Sequence, residues 1–316
     1  MKVKWVIENF TDSEDYRSLI QAVRDSGRYC FVIGRHNHFD FDPSGFEEND
    51  CVIVQGSIQM TKNIAERLPK GCFPIRYSSW EKYLCSSYYP HFQSFLFNDL
   101  HEITTLANLK ANKFEYYRRF GRECLIFVRP DSGEKTFQAQ LIDIQDFDKF
   151  WDNATSGGGN MTETDLVVVS TPKKINGEYR IVCSKYNGGE IITASTYQYQ
   201  GKSTLIPSVP PKALEKCKEI LAVGKHPDSL FCVDIAEDAD GNCWLLELTS
   251  FSSAGLYLTD KVKLVNRVNE IVEEEYRIEK YTIESPLKPG AAKKLGLDKV
   301  NVLDVILKGI DEGHPY

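Results

Sequence analysis

Residues 231–251, FCVDIAEDADGNCWLLELTSF, combine two apolar segments with a polar turn between them. The Asp240–Gly241 dipeptide is typical of a tight hairpin turn, so the two segments are predicted to pair as antiparallel strands. Folding back at this turn brings the carboxylates of Asp234 and Glu247 near one another. Paired buried carboxylates repel, and a divalent cation that prefers oxygen ligands, such as magnesium, relieves the repulsion. The alternative is that both side chains point outward, although the flanking apolar runs favour partial burial.

Small and hydroxyl-bearing residues follow this hairpin without a break. Five of the seven positions from Thr249 to Gly255 are Ser, Thr or Gly. A strand that ended only for packing reasons would need one or two turn residues. We therefore expect this loop to line the phosphate or substrate side of a ligand site, with Ser253 and Gly255 as candidate substrate contacts.

Two further stretches place charged groups at the ends of apolar strands. In FVRPDSGEKTF, residues 127–137, Arg129 closes a strand and Lys135 follows across a Pro-Asp-Ser-Gly loop. Two cations around such a loop can reach the same anion, and Arg adds a bidentate contact to phosphate oxygens. The alternative is a surface turn with solvated charges. Glu178 and Arg180 lie two apart on a predicted strand and share a face, which also fits an exposed ion pair.

The first hundred residues alternate short apolar runs with helix-like segments, a pattern that predicts a parallel α/β layer. Gly56 and Ser57 fall where one of these strands gives way to a helix, the edge of an open α/β sheet at which ligands usually bind. The alternative is a tight turn with Ser57 as the helix N-cap. Residues 70–120 are rich in aromatics and are interpreted as a joint between two lobes. After Glu123 the pattern changes to antiparallel hairpins, followed by one long helix.

Composition narrows the class of protein. The 316 residues are 42% hydrophobic and 26% charged, as in ordinary folded chains, and the net charge of −7 argues against a nucleic-acid surface. No run approaches the length of a membrane span, and no signal-peptide core is evident. Nine scattered cysteines without a C-x-x-C motif indicate reduced thiols and a cytoplasmic protein. An amphipathic segment near the C-terminus, VNVLDVILKGI, suggests packing or self-association into a homo-oligomer.

Taken in order, these stretches resemble the ATP-grasp superfamily. In particular they resemble a bacterial and phage clade that is predicted to contain amidoligases, with motifs F-x-RP-x-SG-x-K-x-F, E-x-R and D-x-A … ELN … S-x-GLY. The matching segments here are FVRPDSGEKTF, EYR at 178–180, DIA at 234–236 and ELTSFSSAGLY at 247–257. The resemblance covers about residues 50–275, and several motifs in the right order make it more specific than any single one.

This resemblance implies a fold of the α/β plus α+β type. Residues 1–105 would be an N-terminal α/β (pre-ATP-grasp) domain, and 106–276 an ATP-grasp domain of two α+β subdomains that hold ATP between antiparallel sheets. Residues 277–316 would be a C-terminal helical extension.

The resemblance also implies roles for individual residues. Arg129 and Lys135 would contact the nucleotide phosphates, and Arg180 would face the transferring phosphoryl or acyl group. The strand VVVSTP would be the hinge, with backbone groups around Ser170 and Thr171 binding the adenine, and Glu178 would also contribute to nucleotide binding. Gly56 and Ser57 would help to shape the substrate pocket. Asp234 and Glu247 would bind magnesium. Thr249 stands where the motif has asparagine as a further metal ligand, and a hydroxyl coordinates magnesium more weakly.

The implied function is an ATP- and magnesium-dependent carboxylate–amine ligase that acts through an acyl phosphate and releases ADP and phosphate. Its substrates would be a small-molecule or peptide carboxylate and an amine. Such phosphoryl transfer needs positioned cations more than a protein nucleophile. Two alternatives stay open, namely an ATP-dependent phosphotransferase and, because of Thr249, a nucleotide-binding module without turnover.

Overall fold

Three β-sheets organise the described part of the chain. A computed structural model describes residues 1–9, 14–34, 41–75, 79–133, 136–156 and 161–284. Within these ranges, no helix is both long and apolar enough to cross a membrane.

The N-terminal sheet is parallel and has crossover helices, as predicted. Its elements are β1 (Val3–Asn9), α1 (Glu14–Asp25), β2 (Tyr29–Gly34), β3 (Cys51–Gln55), α2 (Ile58–Arg67) and β4 (Phe73–Ile75). The strand order is β2-β1-β3-β4. The two central strands are buried along almost their whole length, which explains why they read as continuous apolar runs instead of alternating ones.

An aromatic segment follows this sheet and contains α3 (Cys85–Phe92). Tyr83, Tyr88, Tyr89 and Phe92 are all buried and belong to one core cluster with strand residues from the later sheets. These side chains therefore pack on strands of the second and third sheets, and their role as a joint between two lobes stays a prediction.

The second sheet is antiparallel. Its elements are β5 (His101–Thr105), α4 (Leu106–Ala111), α5 (Lys113–Phe120), β6 (Leu125–Pro130), β7 (Gln140–Asp143), α6 (Phe147–Thr155) and β8 (Leu166–Ser170). The strand order is β5-β8-β6-β7. Ile126, Val128 and their neighbours pack on the three helices, so Phe127 and Arg129 lie on the opposite face. β5 falls within the predicted domain 1–105 but pairs with β8.

The third sheet, also antiparallel, carries most of the predicted site. Its elements are β9 (Gly177–Ser184), β10 (Glu190–Tyr199), β11 (Lys202–Ile206), α7 (Pro211–Leu221), β12 (Leu230–Glu237) and β13 (Cys243–Ser250). The strand order is β11-β10-β9-β12-β13. The predicted hairpin is confirmed, because β12 and β13 pair across the Asp240–Gly241 turn.

The long helix α8 (Lys261–Glu284) connects the first and third sheets. Its buried face, including Leu264 and Val268, belongs to one core cluster with β1 residues and with Val182 of β9. Trp5 donates a hydrogen bond from Nε1 to Asn269 Oδ1 at 2.9 Å, which fixes the helix to the N-terminal sheet. The helix runs through the predicted boundary at 276/277, and residues 285–316, with the amphipathic segment, lie outside the described residues.

Candidate functional site

An ion pair joins the second and third sheets. Arg129, at the end of β6, donates from Nη2 to Glu247 Oε2 on β13 at 3.0 Å. The two side chains are 11% and 26% exposed, so water is largely excluded from the contact. Two residues that the sequence places on separate strands, 118 positions apart, therefore meet between the second and third sheets.

A second ion pair lies within the third sheet. Arg180 on β9 and Asp234 on β12 are direct register partners, and the guanidinium donates two hydrogen bonds to the carboxylate, at 2.8 and 2.5 Å. Arg180 Nη1 also donates to the carbonyl oxygen of Gly255 at 2.9 Å. Both Arg180 and Asp234 are buried. This bidentate geometry is the strongest form of an Arg–carboxylate contact.

The two acids are themselves neighbours. Asp234 and Glu247 are register partners across the β12/β13 hairpin. Burial raises the pKa of Asp234 to about 6, Arg180 opposes that rise, and the charge of Glu247 adds to it. The hydroxyl of Thr249 lies beside them and donates to Glu247 Oε1 at 3.3 Å. Two crowded carboxylates and one hydroxyl oxygen fit a hard divalent cation, whose charge would offset their repulsion.

The candidate magnesium ligands at this site are all oxygen atoms. Among the described residues, no group of three or more His, Cys, Asp or Glu side chains is placed to hold a metal. A site here would use the two carboxylates, the Thr249 hydroxyl, and oxygens supplied by water or by a phosphate-bearing ligand. Magnesium usually keeps several such ligands, so this donor set suits it.

Arg129 keeps a buried donor that a ligand could use. Its Nε is buried and has no hydrogen-bond partner within the part of the chain that the structure describes. Burial lowers the pKa of its guanidinium, but its charged and polar neighbours, among them the Glu247 carboxylate, raise it to well above its ordinary value. Arg129 therefore stays charged in a buried position, as an anion-binding group requires. Lys135, its predicted companion, lies outside the described residues.

Ser170 and Thr171 end β8 and the short segment after it. Ser170 is fully buried, and its hydroxyl donates to Asn98 Oδ1 at 3.4 Å. The Thr171 N–H donates to the Leu100 carbonyl at 3.3 Å, while the buried Thr171 hydroxyl has no hydrogen-bond partner among the described residues. This hydroxyl is one polar group of the segment that a ligand could use.

The predicted substrate residues of the N-terminal sheet lie beside the loop after β13. The Gly56 N–H donates to the Ser252 carbonyl at 2.8 Å, and Ser57 caps α2 by accepting from Met60 N at 3.2 Å. The N-cap interpretation of Ser57 is confirmed, and its role at a ligand site stays a prediction. Ser253 is half-buried in a short 3-10 turn, Phe251–Ser253, of the same loop.

Three functional candidates carried no sequence prediction. Glu8, at the end of β1, is 1% exposed and accepts from Ser57 N at 2.7 Å. Tyr197 donates from its hydroxyl to Glu178 Oε2 at 2.6 Å, and its ring stacks on that of Tyr257 with centroids 4.9 Å apart. Glu8 ends an apolar strand, a signal like that of Glu247. Tyr257 lies within the S-x-GLY motif, but no sequence signal identified Tyr197.

A protein-family model described as "ATP-grasp domain, R2K clade family 2" matches residues 104–266, more than half of the chain. The match includes both strands of each ion pair and excludes the N-terminal sheet. No curated protein matches the sequence at a significant level.

Solved structures share the fold over most of the chain. D-cycloserine synthetase DcsG has a TM-score of 0.56 at 15% identity, covering 85% of this chain and 99% of its own. D-alanine–D-alanine ligase from Bacillus anthracis has a TM-score of 0.52 at 13% identity, covering 88% and 100%. ATP-grasp ligase PsnB, complexed with minimal precursor, Mg and ADP, has a TM-score of 0.50 at 12% identity, covering 85% and 98%. The predicted ATP-grasp fold is confirmed.

Proposed function

Because the chain belongs to the ATP-grasp domain family, R2K clade family 2, we propose that it is an ATP- and magnesium-dependent carboxylate–amine ligase. In this reaction a carboxylate oxygen of the first substrate takes the γ-phosphoryl group and ADP leaves. The amine nitrogen of the second substrate then attacks the acyl carbon, and phosphate leaves as the amide bond forms. We also propose that the enzyme belongs to the amidoligase-like clade and acts in the cytoplasm.

One observation carries this proposal. Two arginines and two carboxylates, contributed by four strands of two sheets, converge in one cleft as the pairs Arg129–Glu247 and Arg180–Asp234. In the free protein each cation neutralises one acid. A magnesium-bound nucleotide offers the opposite partners, metal for the carboxylates and phosphate oxygens for the arginines, so all four charges stay compensated when it binds.

We assign each residue of the site a role from the chemistry of its side chain. Asp234, Glu247 and Thr249 would hold magnesium, which when bound neutralises charge on phosphate oxygens. Arg129 would donate its free Nε–H to the phosphates, together with Lys135. Arg180, fixed by three hydrogen bonds, would face the reacting acyl or phosphoryl group. No covalent nucleophile is required, because positioning and charge stabilisation supply most of the catalysis in such transfers.

The adenine would lie between the second and third sheets. On the second sheet, the face that carries Arg129 also carries Phe127 and Leu141, which are register partners, and Leu141 is 51% exposed. An exposed apolar surface of this kind suits a purine ring. Ser170 and Thr171 would border it, and Glu178 would lie toward the ribose or phosphates.

The substrates would meet the nucleotide at the junction with the N-terminal sheet. Gly56, Ser57, Ser253 and Gly255 lie around this junction and are proposed to contact the carboxylate or the amine. Solved structures that share this fold bear the names synthetase and ligase, one PsnB complex contains a minimal precursor with Mg and ADP, and another contains a precursor peptide. These names support magnesium dependence and a small-molecule or peptide carboxylate as substrate.

An ADP-release assay over a panel of amino acids, short peptides and amines, followed by mass analysis of products, tests the proposal. We expect ADP, phosphate and a new amide in the presence of ATP and magnesium. A stable phosphorylated product without amide would instead identify a phosphotransferase. Nucleotide binding without turnover across the panel would identify a binding module, the alternative that Thr249 favours.

Replacing Glu247 by Gln should remove turnover. The variant keeps the shape of the side chain but loses a metal ligand and the charge that pairs with Arg129. We expect ADP release to fall by about a hundredfold or more, with the circular-dichroism spectrum unchanged. Glu219→Gln, an exposed acid on α7, is the matched control and should retain full turnover. Equal rates in the two variants would refute the metal assignment.

A further inference from the structure

Strand β10 contains a bulge at Tyr197. Thr196 pairs with Tyr179 and Gln198 with Glu178 on the neighbouring strand, so Tyr197 has no register partner there. The register to β11 shifts at the same point. A bulge inserts one residue and turns a side chain away from the regular alternation, and such features recur beside active sites. Here the residue at the bulge is a tyrosine whose ring lies beside Arg180.

A second irregularity lies at Tyr257, after the loop that follows β13. Its φ of +47° is in the left-handed region, which a bulky non-glycine residue rarely adopts. Such a conformation costs free energy and persists only where the surroundings hold it, often at functional sites. Tyr257 is therefore held in place by its contacts and not by its own backbone preference.

The rings at both irregular positions, Tyr197 and Tyr257, lie beside the same arginine, Arg180. The Tyr197 and Tyr257 rings are nearly parallel, with an interplanar angle of 13° and centroids 4.9 Å apart. The guanidinium carbon of Arg180 lies 5.5 Å from the first centroid and 5.2 Å from the second. The three groups form an almost equilateral triangle, and both distances are within the range of cation–π attraction.

Hydrogen bonds hold two of the three groups of this triangle, Tyr197 and Arg180. The Tyr197 hydroxyl donates to Glu178 at 2.6 Å, which fixes the ring relative to β9, the strand that carries Arg180. Arg180 has two other anchors, the Asp234 carboxylate and the Gly255 carbonyl. Asp234 is also the proposed metal ligand, so its hold on Arg180 weakens when the carboxylate turns to a cation. The aromatic contacts do not compete with a metal.

We propose that Tyr197 and Tyr257 are positioning residues that hold the Arg180 guanidinium in place when Asp234 takes a metal. The positioning itself is independent of the reaction. Its catalytic consequence rests on the proposed function, because only an enzyme that transfers a phosphoryl or acyl group needs this arginine aimed at that group.

Nuclear magnetic resonance observes the positioning directly. The Arg180 Nε–H donates to Asp234 at 2.8 Å and is buried, so its correlation in nitrogen-15-labelled protein should be visible and can be assigned by its loss in Arg180→Lys. We expect this signal to shift or broaden in Tyr197→Leu and Tyr257→Leu, and more so with magnesium and ADP. Tyr197→Phe and Tyr257→Phe retain the rings and should keep it near its original position.

Tyr199→Leu is the matched control, since Tyr199 is on the same strand, is 41% exposed and lies outside the triangle. Its Arg180 signal should equal that of the wild type. If a leucine variant does not fold, as judged by its whole spectrum, the phenylalanine variants decide by whether the ring alone preserves the signal. An Arg180 signal that is unchanged in every folded variant without a ring, or that moves equally in Tyr199→Leu, would overturn the proposal.

Kinetic measurements then distinguish a failure of the positioning role from a failure of the proposed ligase activity. With an active substrate pair, each leucine variant should lower kcat about tenfold with little change in the KM for ATP, and each phenylalanine variant less than about threefold. If the Arg180 signal shifts in the leucine variants but the wild-type protein never forms amide, the ligase proposal is refuted and the positioning proposal stands. Full kcat in both leucine variants would refute the catalytic consequence.

Discussion

Asp234 is the residue whose environment most clearly indicates a ligand. It is fully buried, bonded to Arg180 and opposed to Glu247, and burial raises its pKa to about 6 against an ordinary value of 3.8. A raised acid pKa means that the fold binds the proton more tightly than the unfolded chain. The contribution of Asp234 to stability therefore falls as the pH rises from 3.8 through 6. A bound cation would reverse this loss.

Magnesium binding should consequently depend on pH. Below about pH 6 the cation must displace a proton from Asp234, so the apparent affinity should weaken by up to about tenfold per pH unit. Calorimetric titration of magnesium chloride with ADP present, at about pH 5 and about pH 7.5, measures the difference. Asp234→Asn has no proton to displace and should lose this part of the dependence. Equal affinities for the wild type at both pH values would contradict the assignment.

A substitution at Thr249 tests the metal site by strengthening magnesium binding instead of weakening it. Its hydroxyl reaches Glu247 but is a weak magnesium ligand, whereas an amide oxygen at the same position could coordinate directly. We expect Thr249→Asn to bind magnesium about tenfold more tightly and Thr249→Ala to bind it more weakly. The same calorimetric titration distinguishes them. Identical affinities in the three proteins would place residue 249 outside the coordination sphere.

At the scale of elements, the site lies where strands end or are irregular. Arg129 is one residue from the end of β6, Glu8 one from the end of β1, and Asp234 and Glu247 face each other beside a register shift in the hairpin. Pairing on both sides satisfies the main-chain groups of a strand interior but leaves its side chains available, as with Arg180 and Asp234 in the middle of β9 and β12.

The turn between β3 and α2 should not tolerate a side chain at Gly56. A Cβ there would lie 2.6 Å from Met60 Sδ and 2.7 Å from Glu8 Cβ, closer than real contacts allow. We expect Gly56→Ala to lower the free energy of unfolding in urea by about 1–3 kcal/mol. Gly133→Ala, where a Cβ meets no atom of the described residues within 4 Å, should change it by less than about 0.5 kcal/mol. Equal effects would mean that the turn adapts freely.

At the scale of the whole molecule, three sheets meet around one cleft. The second and third sheets are joined there by Arg129 and Glu247, and the first approaches through the Gly56–Ser252 hydrogen bond. A ligand in this cleft contacts several independently built layers. Its binding energy therefore stabilises their association as well as its own site.

ADP with magnesium should accordingly raise the melting temperature. At about a hundred times its dissociation constant a ligand adds about 2.7 kcal/mol, which corresponds to a shift of several degrees for a chain of this size. Differential scanning fluorimetry measures the shift, and a chelator should remove most of it by removing the metal. Glu247→Gln should show little of it. A shift that is equal with and without chelator would argue against a metal-bridged nucleotide.

The sequence by itself determined the local pairings. The turn at Asp240–Gly241 and the apolar runs beside it fixed the hairpin, and with it the opposition of Asp234 and Glu247, because the separation along the chain was short. Alternation of strands and helices likewise fixed the parallel N-terminal sheet. These features depend on hydrogen-bond geometry and burial patterns that repeat every few residues.

Only the tertiary structure decided which charges pair and how they are held. Arg129 and Glu247 meet across two sheets, and neither residue's neighbours specify the other. The bulge that aims Tyr197 and the left-handed backbone of Tyr257 are likewise imposed by contacts from distant strands and override local preference. Contacts between separate layers depend on how the layers dock, and local patterns of sequence do not encode that geometry.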